Sequence, residues 1–216
     1  MKEASALYRL LGDEARLRLL RVLARDHFNV KELTGVLGLA QSGVSRHLGL
    51  LLPELDVADL GCGEGYLSIE AAQWARKVIA VDRSADVLGR ARALALRRHV
   101  KNITWKRGDM EKLPLEDASV DIALLSQALH HAANPARALS EAARVLRPGG
   151  RVLALDLREH DQEWVRDRVG DRWLGFKDED LERFLTGAGL TDVKVRVGSR
   201  SPGDPFAVLI ASGLKN

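Results

Sequence analysis

Nine residues, Val57-Ala58-Asp59-Leu60-Gly61-Cys62-Gly63-Glu64-Gly65, constrain this chain more than any other stretch. A short apolar run carries one acidic residue and then opens into three glycines at alternate positions. The run from Val57 to Leu60 predicts a buried strand, and Tyr66 to Ala75 predicts the helix that follows it. A glycine-rich turn between strand and helix lets a ligand press against the backbone beside a helix N-terminus. A structural turn needs one glycine, so three of them with a carboxylate two residues earlier exceed that requirement. The dinucleotide fingerprint G-x-G-x-x-G fails here, because Tyr66 stands at the third-glycine place and would block close helix packing.

The pattern D-x-G-x-G-x-G resembles the first motif of the S-adenosylmethionine-dependent methyltransferases of Rossmann-like fold. Later segments follow that resemblance in order. Lys77-Val78-Ile79-Ala80-Val81 is a second β-rich run ending in Asp82, with Arg83 beside it. A carboxylate about 20 residues after the first turn is the usual acceptor for ribose hydroxyls in such folds. Ser84 caps a helix running to about Arg98. A third strand, Ile103 to Lys106, leads into Gly108-Asp109-Met110, where the resemblance implies that Asp109 accepts from an adenine amino group. A fourth strand runs from Val120 to Ser126 and precedes Gln127-Ala128-Leu129-His130-His131. Arg144 to Leu153 reads as helix end, glycine turn and fifth strand of the same family. The resemblance thus implies S-adenosylmethionine or S-adenosylhomocysteine as ligand. It implies a cofactor site of Asp59, Gly61, Cys62, Gly63, Gly65, Asp82, Arg83, Gly108, Asp109, Met110 and Ser126.

The C-terminal end tests the topology separately. Asp178 to Gly187 reads as a helix with Leu181, Phe184 and Leu185 on one face. Val193 to Val197 and Phe206 to Ala211 read as strands joined by a loop holding Pro202, Gly203 and Pro205. So short a joint favours an antiparallel hairpin over a further crossover. Residues 51–216 are therefore expected to form an α/β domain, with a Rossmann-like parallel sheet ending in an antiparallel strand.

Residues 1–50 read as a separate small all-α domain. Asp13 can cap a helix to about Arg25, Asn29-Val30-Lys31-Glu32 has capping-box spacing, and Gly38-Leu39 forms a turn. Gln41 to Leu50 then makes a third helix. Two short helices joined by a glycine turn describe a helix-turn-helix. Leu11 to Leu20 and Ser42 to Leu48 resemble the ArsR family of winged-helix repressors, which implies DNA contacts from Gln41, Ser42, Ser45, Arg46 and His47 and a homodimer on an operator. Eight Lys/Arg face five Asp/Glu in residues 1–50, a surplus of three that equals the net charge of the whole chain. The basic excess therefore lies in the module expected to meet double-stranded DNA. A small dimerisation or capping domain is the alternative. Leu48 to Asp56 leaves no room for a wing or a dimer helix. Either the module has shed them or a stretch near Leu50 is missing from this sequence, and the exposed core of a wingless module argues for the second.

The chain holds one cysteine, Cys62, so no internal disulfide forms. The metal-sensing ArsR members use cysteine pairs, and His27-Phe28-Asn29-Val30 stands where one such pair would lie. Arsenite methyltransferases likewise need several cysteines, so neither specialisation is expected, and no metal ligands are assigned. No apolar run approaches the ~20 residues of a membrane span and no signal-peptide pattern opens the chain, which predicts a cytoplasmic protein without a membrane partner.

Methyl transfer from a sulfonium is an in-line displacement, so the protein contributes chiefly orientation and exclusion of water. His130 and His131 are candidates to deprotonate a small-molecule acceptor, with helix capping or pocket lining as the alternative role. The Leu129-His130-His131 run resembles the quinone-biosynthesis C-methyltransferases. Residues 158–176, with Arg158, His160, Trp164, Arg166, Arg168, Arg172, Trp173 and Phe176, fit an acceptor lid or an amphipathic surface helix. Three functions stay open: a DNA-binding repressor fused to a working methyltransferase, a non-catalytic sensor of S-adenosylmethionine or S-adenosylhomocysteine, or an enzyme whose helical module serves as lid or dimer interface.

Overall fold

The computed structural model describes residues 55–200 and 205–216. The expected helix-turn-helix, with Gln41, Ser42, Ser45, Arg46 and His47, lies outside the described residues. Seven strands form one sheet: β1 (Asp56–Leu60), β2 (Lys77–Asp82), β3 (Ile103–Arg107), β4 (Val120–Ser126), β5 (Leu146–Leu157), β6 (Thr191–Arg200) and β7 (Ala207–Leu214). Their order across the sheet is β3-β2-β1-β4-β5-β7-β6. Strands β1 to β5 pair in parallel, whereas β7 pairs antiparallel with both β5 and β6. The expected parallel sheet with an antiparallel end is thus the fold of the described domain.

The helices are α1 (Tyr66–Ala71), α2 (Ala85–Arg97), α3 (Pro135–Val145), α4 (Trp164–Val169) and α5 (Asp178–Gly187). They cover both faces, which is why the central strands read as continuous apolar runs. Val57 of β1 packs with Val78, Ile122, Leu124 and Leu153 beneath α1 and Trp74. Its neighbour Ala58 faces the opposite side, with Val81, Leu125 and the α3 and α5 residues Leu139, Ala142, Leu181 and Leu185. Several helix starts follow local chemistry. Ser84 accepts from the Val87 N–H at the head of α2, and Asn134 accepts from Arg137 ahead of Pro135 at the head of α3.

Several boundaries differ from those expected, among them β6, which runs Thr191–Arg200 rather than Val193 to Val197. Helix α1 ends at Ala71, because Gln73 and Trp74 donate to Glu70 and Ala71 in a tightened turn that seats Trp74 in the core. Strand β5 begins at Leu146 and passes through the Pro148-Gly149-Gly150 turn, with a register irregularity between Val120 and Ile122 on β4. Strand β7 extends to Leu214 because β5 offers partners as far back as Arg151. At the opposite end from the glycine turn, Arg147 donates to Asp121, Asp56 and the Ser119 carbonyl, and Arg76 also binds Asp56. Arg76 first, then Arg147, holds the Asp56 carboxyl below the usual carboxylate range against the opposing effect of burial. Among the described residues no helix is long and apolar enough to cross a membrane.

Candidate functional site

The strand order reverses at β1, which is flanked by β2 and β4, and open α/β sheets bind ligands at the carboxyl ends of strands beside such a reversal. A cavity of about 450 Å³ opens there, within the size range of small-molecule sites. The glycine turn forms its floor. Backbone N–H groups of Gly61 and Cys62 both donate to the Val81 carbonyl, at 2.8 and 3.0 Å, so the turn is pinned to the tip of β2. Gly63 has φ +53° and a Cβ built on it would meet nothing within 4 Å, so its missing side chain leaves room on the cavity side. Gly65 has φ +76° at the head of α1, and a Cβ there would lie 2.6 Å from the Trp105 ring.

Asp82 is held from two sides. Its Oδ2 accepts the Gly63 N–H at 3.0 Å and its Oδ1 accepts the Ser84 N–H at 2.9 Å. Both bonds come from backbone, so the carboxylate is fixed in orientation while its remaining lone pairs face the cavity it lines. Asp109 is exposed on the same wall, with Oδ1 taken by the Glu111 N–H at 2.9 Å. Gly61, Arg83, Gly108 and Met110 complete the expected residues that line the cavity on this side.

The other expected residues lie behind the lining. Asp59 is buried and accepts from the Ser68 hydroxyl at 2.5 Å, joining β1 to α1. Cys62 is buried, and burial first, then the nearby Asp59 and Asp82, pushes its thiol up, so it stays protonated and unreactive. Gly65 packs against Trp105, and Ser126 ends β4 half-buried.

One lining residue carried no assigned role in the sequence. Gln127 directly follows β4 with a left-handed backbone, φ 53°, and its N–H is bound to the Leu155 carbonyl at 2.8 Å. Non-glycine residues in that conformation are uncommon and cluster at functional sites. Both atoms of its amide are buried without a hydrogen-bond partner, although the residue lines the cavity. An amide left unpaired in this way costs free energy that a polar ligand group would recover. Position at a strand tip was the available signal.

The far end of the cavity is walled by His131, Ala132, Ala133, Val169, Gly170 and Arg172. Of residues 158–176, Val169, Gly170 and Arg172 thus line the cavity, and the segment holds a six-residue helix, α4. The Arg172 and Trp173 N–H groups both donate to the His130 carbonyl, and the Trp173 indole donates to Ala132. These bonds fasten the loop onto the short 3-10 turn Leu129–His131.

His130 is fully buried and behind the lining. Its Nδ1 lies 2.7 Å from Asp156 Oδ1, while Asp156 also accepts the Leu129 and Leu157 N–H groups. Its Nε2 faces Asp171 Oδ1 at 3.6 Å. Burial works against a charge on His130, but Asp156 and then Asp171 outweigh it and raise its pKa. Burial and the neighbouring His130 lower that of His131, which keeps its half-exposed ring neutral and basic near neutral pH. Burial raises the Asp171 carboxyl against the pull of both histidines.

Comparison with known proteins agrees with this geometry. Residues 58–154 match the model of the methyltransferase domain, and residues 13–52 match that of the bacterial regulatory proteins of the arsR family. An uncharacterized methyltransferase of Mycobacterium bovis is 43% identical over 112 residues, covering 51% of this chain and 44% of that protein. The ubiquinone/menaquinone biosynthesis C-methyltransferase of Brucella anthropi is 34% identical over 135 residues, covering 62% of this chain and 51% of that enzyme. The chain thus spans about half the length of these curated relatives. The crystal structure of the YcgJ protein of Bacillus subtilis superposes with a TM-score of 0.63 at 19% identity, covering 79% of this chain and 98% of that one, a likeness of fold.

Proposed function

We propose that this chain, whose segments match the models of the arsR-family regulatory proteins and of the methyltransferase domain, is a DNA-binding regulator that methylates a small molecule with S-adenosylmethionine as donor. The observation that carries the methylation is one continuous cavity. Asp82, Gly63 and Asp109 line one end, and His131 and Arg172 line the other. The donor fits this lining on two grounds, the open space over Gly63 and the unpaired amide of Gln127.

S-adenosylmethionine supplies a methyl group already activated by its sulfonium. Asp82 would accept from two ribose hydroxyls, its carboxylate oriented by the Gly63 and Ser84 N–H groups. Asp109 would take the adenine amino group on the oxygen that Glu111 leaves open. Gln127 would pair with polar atoms of the donor, and Gly63 lets that ligand approach the backbone. Arg172 and Trp173, whose N–H groups donate to the His130 carbonyl, would hold residues 169–173 against the acceptor end and exclude water there. His131, kept neutral by burial, is placed to take the proton of an acceptor hydroxyl or amine at the cavity wall.

At the DNA end, Gln41, Ser42, Ser45, Arg46 and His47 would contact an operator as a homodimer in the cytoplasm. Cofactor occupancy would set operator affinity. Incubating full-length protein with S-adenosylmethionine and candidate phenols, quinols and amines, and measuring S-adenosylhomocysteine, tests turnover. Acceptor-dependent product supports the enzyme. Tight binding of the donor with no product from any acceptor would leave the sensor reading in its place.

A further inference from the structure

The geometry points to a binding site for a divalent transition-metal ion of the zinc class, made by His130, His131 and Asp171 in the wall of the acceptor end. Each residue offers one ligand atom, and the three atoms lie within 4.8 Å of one another. Asp171 Oδ1 is 3.6 Å from His130 Nε2 and 3.6 Å from His131 Nδ1. Donors bound to one tetrahedral ion at about 2.0–2.1 Å sit about 3.4 Å apart, so both contacts of Asp171 are close to that spacing and the two imidazoles would turn toward each other to complete it.

The hydrogen-bonding pattern supports the same conclusion. Asp156 is fixed by the Leu129 and Leu157 N–H groups and meets His130 Nδ1 at 2.7 Å. That contact places the Nδ1 proton toward Asp156 and leaves Nε2 as the atom directed at Asp171. A carboxylate behind a histidine is the usual arrangement that orients an imidazole ligand and raises its basicity. His130 Nε2 and both Asp171 oxygens are buried without a hydrogen-bond partner. At 3.6 Å, Nε2 and the carboxylate are too far apart to hydrogen-bond each other. A cation held between them would satisfy all three atoms. His131 Nδ1 is 3.3 Å from the Gly170 carbonyl, long for a hydrogen bond and weak enough to yield to a metal.

Two imidazoles and one carboxylate are a borderline donor set suited to zinc, and three protein ligands leave a position open. His131 lines the cavity, so that position opens onto the acceptor end. There the ion would hold an acceptor through an oxygen atom and ease loss of its proton in place of His131 acting as base, a role that rests on the methylation reading, whereas ion binding itself does not. The sequence hides the site because Asp171 lies 40 residues beyond His131, with no spacing motif between them.

Full-length protein stripped with a chelator and titrated with zinc chloride alone in a calorimeter tests the site. One ion per chain and a zinc-dependent rise in melting temperature are expected. Asp171→Asn and His131→Ala should each weaken zinc binding at least about 100-fold, the upper end of what loss of an orienting partner costs. His131 is half-exposed, so its variant keeps the test alive if Asp171→Asn does not fold. S-adenosylhomocysteine affinity of the wild type, titrated separately on the stripped and the zinc-loaded protein, separates failure of the metal site from failure of the donor site. Absence of zinc uptake by the wild type, or undiminished uptake in His131→Ala, would overturn the proposal.

Discussion

Gly63 and Gly65 are two residues apart, share a left-handed backbone, and are predicted to fail in opposite ways when each is replaced by alanine. Both substitutions force a Cβ into the left-handed region, at about 1–2 kcal/mol each. At Gly65 the new methyl lies 2.6 Å from Trp105 Cη2 and 3.0 Å from Ala91 Cβ, deep between α2 and β3. Overpacking of that kind adds about 1–3 kcal/mol, so Gly65→Ala should lose about 2–5 kcal/mol in total. A domain of this size loses roughly 2–4 °C of melting temperature per kcal/mol. At Gly63 the methyl meets no protein atom within 4 Å, so stability should fall by the backbone term alone. The same methyl occupies space where the donor packs, which should weaken S-adenosylhomocysteine binding by about 1–3 kcal/mol, about 5- to 150-fold. Thermal melts without ligand and calorimetric titrations on both variants give the comparison. Wild-type affinity in Gly63→Ala, or equal melting temperatures in the two variants, would refute the assignment of the turn.

Three further outcomes are expected. Asp82→Ala should cost about 2–4 kcal/mol of S-adenosylmethionine affinity, because it removes a charged acceptor and frees the Gly63 N–H that the carboxylate now holds; calorimetry measures it. The Arg144 hydrogen bonds hold the Glu141 carboxyl below the usual range, and those of Arg76 hold Asp56 there as well. The unfolded chain then binds more protons, so stability present at neutral pH should be lost as pH falls below about 4.5, and Glu141→Gln should flatten that loss in melts taken from pH 7 to 3. Arg46→Ala should weaken operator binding and reduce its salt slope by about one if Arg46 contacts phosphate, read by gel shifts at several salt concentrations.

The parts of the fold that were legible in the sequence share a physical reason. Strands β1, β2 and β4 are buried on both faces, so Val78–Val81 and Ile122–Leu125 announce themselves as unbroken apolar runs and Val57–Leu60 as one interrupted only by Asp59. Helix α5 was legible to its ends, because Leu181 and Leu185 repeat at helical spacing and glycines follow. Asp82 was legible because it stands at the tip of such a strand, and Asp109 because Gly108-Asp109-Met110 resembles the methyltransferase pattern after the third strand. Gln127 was not, since its meaning lies in a positive φ and an unpaired amide that no residue pattern encodes. Asp156 was also hidden, because a carboxylate near the end of an apolar strand gives no sign that it clamps a histidine 26 residues earlier. The His130–Asp171 contact depends on how residues 169–173 fold back over the Leu129–His131 turn, a long-range event that local propensity does not report.

The proposed function couples a methyl-donor site to DNA within one chain, and coupling between two sites is reciprocal. The most direct test is the affinity of full-length protein for a labelled operator, measured without ligand, with saturating S-adenosylmethionine and with saturating S-adenosylhomocysteine. The three states should differ, by about 5- to 150-fold between extremes, with the demethylated product acting most strongly. The same affinity in all three states would contradict the coupling and leave a methyltransferase domain merely tethered to a DNA-binding segment.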